Sequence, residues 1–190
     1  MKNENGKAMA TTLNVIQENE LCVEGWEKLL GHLGKTKADD ELLLMTTILD
    51  VNGLEETLWL LRCLPEYEKL WRKYTIWCVE QVRHLLKDAR SIGAIDVAQR
   101  HLAGLATNED LMVAKKGAED ARVNMSRGLA KHAANAAVWV TWQCEDMEDI
   151  SLNTLDAAHD AALAFGNVAA AEKVQEEKLR QIFTTGTWEE

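Results

Sequence analysis

A single proline, Pro65, stands in a chain of 190 residues, where an average soluble protein carries about 5%. Proline is excluded from helix interiors and central strands and is frequent in turns. Its scarcity therefore argues against a sandwich, a barrel or any fold of many short strands, and for long helices. Pro65 itself suits a first helical turn, because its fixed φ is already helical. Glu66 and Glu68 follow it, and their carboxylates complement the positive helix end.

Hydrophobic spacing supports the same reading. Asn19 can cap a helix whose apolar residues Leu21, Cys22, Trp26, Leu29 and Leu33 recur at threes and fours, with Gly34 as its stop. Asp39 or Asp40 caps a second helix over 42–49, closed by Asn52-Gly53, and a third covers 54–64. The fourth, over 66–87, presents Leu70, Tyr74, Trp77, Cys78, Val82 and Leu85 on one stripe. Ser91 caps a fifth that ends before Gly104, and Thr107, with Glu109 and Asp110 behind it, opens a sixth. That sixth helix reads as continuous to about residue 148, and a seventh runs over 152–183. No run of alternating β-branched residues predicts a strand.

Composition changes near residue 88. Alanine occurs three times in the first 88 residues and 21 times in the remaining 102. Leucine and tryptophan build the apolar surface before that point, and alanine builds it afterwards. Alanine favours helix and lets helix axes approach closely. The expected fold is all-α: a helical bundle in which a long antiparallel alanine-rich hairpin packs on shorter N-terminal helices. Residues 1–18 are expected to form a flexible tail. A single domain covers 19–183, with Leu/Trp-rich helices over 19–104 and the hairpin over 105–183, and 184–190 form a C-terminal tail.

No segment reaches the 18 or more apolar residues of a membrane span, and the polar start lacks the apolar core of a secretory signal. Cys22, Cys63, Cys78 and Cys144 are far apart in sequence and lie in apolar stretches. They read as buried free thiols rather than a disulfide framework. A cytoplasmic protein is expected, with no membrane partner. The net charge is −10, and no basic stripe is available to neutralise phosphates, so nucleic acid is not an expected partner. Glu145, Asp146, Glu148 and Asp149 form an acidic cluster. It reads either as a docking patch for a basic partner or as a solvated helix end.

No catalytic signature is present, and the five histidines are isolated from one another. A catalytic residue, a metal and a cofactor are therefore not expected, and the chain reads as a non-enzyme. His132, in an apolar stripe, reads as a hydrogen-bonded core histidine. Seven tryptophans either fill gaps in the bundle or form an aromatic slot, with Trp59 and Trp71 as candidates. Arg83, His84, Arg90 and Arg100 are the densest group of anion partners. Asp96 stands four residues before Arg100, at ion-pair spacing, and Asp88 and Arg90 flank Ser91.

One stretch resembles a family of alanine-rich helical immunity proteins of bacteria and phages. The motifs are Cys78-Val79-Glu80-Gln81-Val82, Asp88-Ala89-Arg90-Ser91, Ala94-Ile95-Asp96-Val97-Ala98-Gln99-Arg100 and Gly104-Leu105-Ala106-Thr107-Asn108-Glu109-Asp110-Leu111. Ala89 stands where the family usually has proline. The resemblance covers roughly residues 20–140 and implies an all-α fold and binding rather than catalysis. The expected function is neutralisation of a toxin or a host defence effector by direct association, as an immunity or anti-defence inhibitor. The alternative is a sponge that sequesters a nucleotide-like signalling molecule in a Trp/Arg pocket. Small residues along the long helices are also compatible with a homo-oligomer.

Overall fold

In the computed structural model, which describes residues 8–123, 125–142 and 147–188, the chain is an all-α helical bundle with one two-stranded ribbon. It divides into two compact units. One comprises residues 1–66 and 174–190, and the other residues 67–173.

The first unit begins where a loose tail is expected, and this expectation fails for residues 8–18. Strand β1 (Ala10–Thr11) pairs antiparallel with β2 (Leu43–Leu44). Helix α1 (Leu13–Glu18) follows, capped by the Thr12 hydroxyl, which accepts from the Val15 N–H at 3.2 Å. Met9, Leu13 and Ile16 are fully buried, and that apolar burial is what orders the segment. The Met9 N–H donates to the Phe183 carbonyl at 2.7 Å, and the Met9 carbonyl accepts from Met45 at 3.0 Å.

Helix α2 (Val23–Leu33) is capped not by Asn19 but by Cys22, whose Sγ accepts from the Gly25 N–H, and it stops at Gly34 in the left-handed region. Asn19 instead closes α1. Helices α3 (Met45–Asn52) and α4 (Leu54–Trp59) flank Gly53, and a 3-10 turn covers Leu60–Cys63. Gly25 leaves room for two side chains of the neighbouring helices: a Cβ there would displace the Glu56 carboxylate and the Asn52 amide. Asn52 also donates to the Gly25 carbonyl at 3.0 Å, joining α3 to α2.

The second unit contains α5 (Glu68–Glu80), a 3-10 turn at Arg83–Leu85, α6 (Ala89–Leu102), α7 (Asn108–Val123), α8 (Leu129–Trp139) and α9 (Met147–Phe165). Helix α9 packs against α5 and α8, while α7 packs against α6 and α8. The final helix, α10 (Val168–Thr185), begins in this unit and ends in the first.

The expected fourth helix is shorter than its stripe. It ends at Glu80, and the chain then tightens into 3-10 geometry before Leu86. Both expected arms of the long hairpin are interrupted, and the first stops at Trp139 rather than near residue 148. Gly128 (φ 143°) separates α7 from α8, and Gly166 (φ 84°) separates α9 from α10. Both lie in the positive-φ region that glycine enters without steric cost. The hairpin that remains is α8–α9, an alanine seam in which Ala133, Ala137, Ala158 and Ala162 are fully buried. Leu129 lies beside Gly166 at one end. A hydroxyl pair, Thr75 and Thr154 at 2.8 Å, joins α5 to α9 inside the core.

Thr107 caps α7 as expected, in a reciprocal box. Its N–H and hydroxyl donate to Asp110 at 2.7 and 2.9 Å, and its hydroxyl accepts from the Asp110 N–H at 3.1 Å. The cap of α6 is Asp88 rather than Ser91. Ser91 sits within the first turn and is 1% exposed. Among the described residues no helix is long and apolar enough to cross a membrane.

Candidate functional site

Two of the arginines singled out in the sequence, Arg83 and Arg90, are held by carboxylates of the same unit. Arg83 donates to Glu80 at 2.9 Å and to Asp96 at 2.7 Å, and Gln99 donates to the same Glu80 oxygen at 2.8 Å. Asp96 thus pairs with Arg83, thirteen residues upstream, and not with Arg100. The Asp96 contact holds the Arg83 guanidinium above its ordinary pKa. Arg90 grips Asp88 through two side-chain bonds at 3.0 and 2.8 Å, and its own N–H donates to Asp88 at 2.9 Å. These contacts pull the Asp88 carboxyl down to about 2. His84 and Arg100 are exposed. Arg100 contributes to a lowered pKa at Asp110, whose main cause is the Thr107 cap.

Trp71 is fully buried in the second unit, and Trp59 belongs to the first, with the Arg62 guanidinium 3.6 Å above its ring. Trp188 is half-buried, with the Lys178 ammonium 4.3 Å from its ring centroid. Of the acidic cluster, Glu145, Asp146 and the side chain of Glu148 lie outside the described residues, and so does Cys144. Asp149 is in the first turn of α9, its carbonyl accepting from Asn153 at 2.7 Å.

Asp160 on α9 gathers three donors from α8. His132 lies 3.0 Å from Oδ1, Asn135 donates to Oδ1 at 3.2 Å, and the Trp139 indole donates to Oδ2 at 3.1 Å. Their spacing of three and four residues places all three on one face of α8. The arrangement satisfies a mostly buried carboxylate and locks the alanine seam in register. Burial, and the charge of Asp160 after it, raise the pKa of the neighbouring Asp156. No group of three or more metal-ligating side chains occurs among the described residues.

The feature best suited to recognition is a groove of about 540 Å³ between α6 and α7. Gly93, Ala94 and Val97 on α6 face Val113, Ala114 and Gly117 on α7, so the floor is smooth and shallow. Beneath it Ala94, Ala118 and Val138 form a core cluster against which Ala114 packs. Large apolar side chains stand open on α7 and just ahead of it: Val113 is 74% exposed, Leu105 73% and Met112 58%. Glu109 and Asp110 line one end, while Arg90 at the other is paired with Asp88. The sequence carries one legible sign of this surface, namely apolar Leu105, Met112 and Val113 set among acids at the start of a helix.

The fold and this surface define an all-α protein with an open apolar groove and self-paired charges. No family model, no curated protein and no solved structure matches the chain.

Proposed function

We propose that the chain is a non-catalytic inhibitor that neutralises a toxin or a host defence effector by direct association, in the manner of an immunity or anti-defence protein. The observation that carries this reading is the α6–α7 groove, walled by small apolar side chains and by Val113, which is 74% exposed. An open apolar cleft is a common mark of an interaction surface. The complement is a helix with an apolar stripe and basic residues, because Glu109 and Asp110 line the groove. The net charge of −10 favours encounter with a basic protein. Occupying a partner needs no catalytic group, and a cytoplasmic site of action belongs to the same proposal. The resemblance over 78–111 supports it independently of the groove.

The sponge reading has less behind it. Its arginines Arg83 and Arg90 already hold carboxylates, and Trp71 offers no exposed face.

The test is protection of cells that express a basic toxin or defence effector together with this chain. Gly93→Trp fills open space, since no atom beyond the local helix backbone lies within 4 Å of the point a Cβ would occupy there, and Val113→Glu places a charge on the groove wall. Each variant should stay helical by circular dichroism and lower survival at least tenfold. Unchanged protection in both variants, or no complex with any basic candidate at low salt, would sink the reading.

A further inference from the structure

Helix α7 packs against α6 and α8 with one side and turns another to solvent. On that outer side Val113, Lys116, Asp120 and Val123 follow at intervals of three, four and three residues. Such spacing sets them in one line along the helix. All four are open. The valines are 74% and 68% exposed, and the Lys116 and Asp120 side chains 75% and 52%. Lys116 and Asp120 pair with each other at 3.4 Å, and an ion pair so exposed contributes little to the fold.

Intervals of three and four are those of a coiled-coil seam. Exposed apolar side chains at both ends of the line point to a covering partner, and the charges between them say which. Read from residue 113 to 123, the order is apolar, base, acid, apolar; read backwards, it is apolar, acid, base, apolar. The line is therefore its own complement when two copies run antiparallel. Val113 then meets Val123 of the second copy, and Lys116 meets Asp120 of the second copy, each contact occurring twice.

The competing arrangements are repulsive. Parallel pairing sets Lys116 on Lys116 and Asp120 on Asp120. An antiparallel slide by one heptad sets Val113 on Lys116 and Glu109 on Asp120. Charged residues within a seam cost stability and in return fix its register and direction.

We propose that a second copy of this chain docks on this face, α7 antiparallel to α7, in a two-fold symmetric dimer. The same patch serves both copies, so association closes at two. The two lysines and two aspartates cluster about the axis, with a pair of valines at each end. The overlap over 113–123 is ~15 Å long, which makes an interface well below standard size and a weak, concentration-dependent dimer. Lys116, Asp120 and Val123 line no part of the α6–α7 groove, whose wall shares only Val113 with this face. The dimer therefore stands or falls separately from the partner proposed above.

The test is sedimentation of the full chain alone, from about 10 µM to about 1 mM. The weight-average mass should rise with concentration towards twice that of the monomer. Lys116→Glu and Asp120→Lys should each weaken association at least tenfold while remaining helical by circular dichroism. An equimolar mixture of the two variants should recover the wild-type association, because every charge contact in the mixed dimer is again between opposite charges. The doubly exchanged chain should recover it too. A wild-type protein that stays monomeric at about 1 mM would overturn the proposal. So would single variants that dimerise like wild type, or a mixture that associates no better than its components.

Discussion

At the scale of single residues, environment divides side chains of one type. Cys63 and Cys78 are buried, and burial pushes both thiols up to about 12. Cys22 is exposed, contrary to the expectation of uniformly buried thiols, because the cap of α2 must lie where the chain enters the helix. Native protein treated with a thiol reagent at pH 8 should therefore be modified at Cys22 and spared at Cys63 and Cys78 until denaturant is added. Peptide mass mapping reads this residue by residue. Asp88 supplies a pH prediction. Its folded pKa of about 2 lies below the ordinary 3.8. A depressed carboxylate stabilises the fold above its unfolded pKa, and the contribution is lost as pH falls through the folded value. The stability gap between wild type and Asp88→Ala should be full at pH 6 and should shrink between about pH 4 and pH 2, as measured by urea denaturation.

At the scale of elements, the helical glycines behave in opposite ways. Gly93 lies inside α6 with open space around it. Gly93→Ala should stabilise the protein by about 0.5–1 kcal/mol through helix propensity alone. Gly128→Ala should destabilise it, because φ 143° is a conformation that alanine rarely adopts. The Asp160 cluster is likewise a property of a helix pair. Asp160→Ala strands His132, Asn135 and Trp139 together, and a loss of about 1–3 kcal/mol is expected. Trp139→Phe, which removes a single bond from the carboxylate, should cost less. Both losses are read from denaturant midpoints.

What the sequence made legible was local. The Thr107 box and the Gly34 stop depend on residues within one turn of each other, and the structure has both. Asp88 and Ser91 are both good caps three residues apart, so the choice between them depends on where the chain leaves Leu86, which local spacing does not encode. Gly117 and Gly128 read alike, yet one continues a helix and the other ends it. The segment over 8–18 reads as a tail because its burial comes from Phe183 and Met45, distant in sequence. Arg83 and Arg90 hold separate carboxylates, Glu80 and Asp96 in one case and Asp88 in the other. Glu80 stands at helical spacing from Arg83, whereas Asp96, across the 3-10 turn, does not.

At the scale of the whole molecule, the chain divides unevenly along its length. The first unit is built from two stretches far apart in sequence: Leu179, Ile182 and Phe183 are fully buried and belong to the same unit as Met9 and Leu13. Truncation after Lys173 should therefore abolish the dispersed NMR signals of residues 8–66. A truncated protein that kept those signals would show that α10 is dispensable to them.

This division has a consequence for synthesis. Residues 8–66 leave the ribosome without the segment that completes their core, and residues 67–173 must be made before it appears. At ~5–20 residues per second, those 107 residues correspond to a wait of roughly 5–20 s. During that interval Met9, Leu13 and Ile16 have no Phe183 to meet. The nascent first unit is thus a natural client for chaperones, and the appearance of α10 decides when it is released.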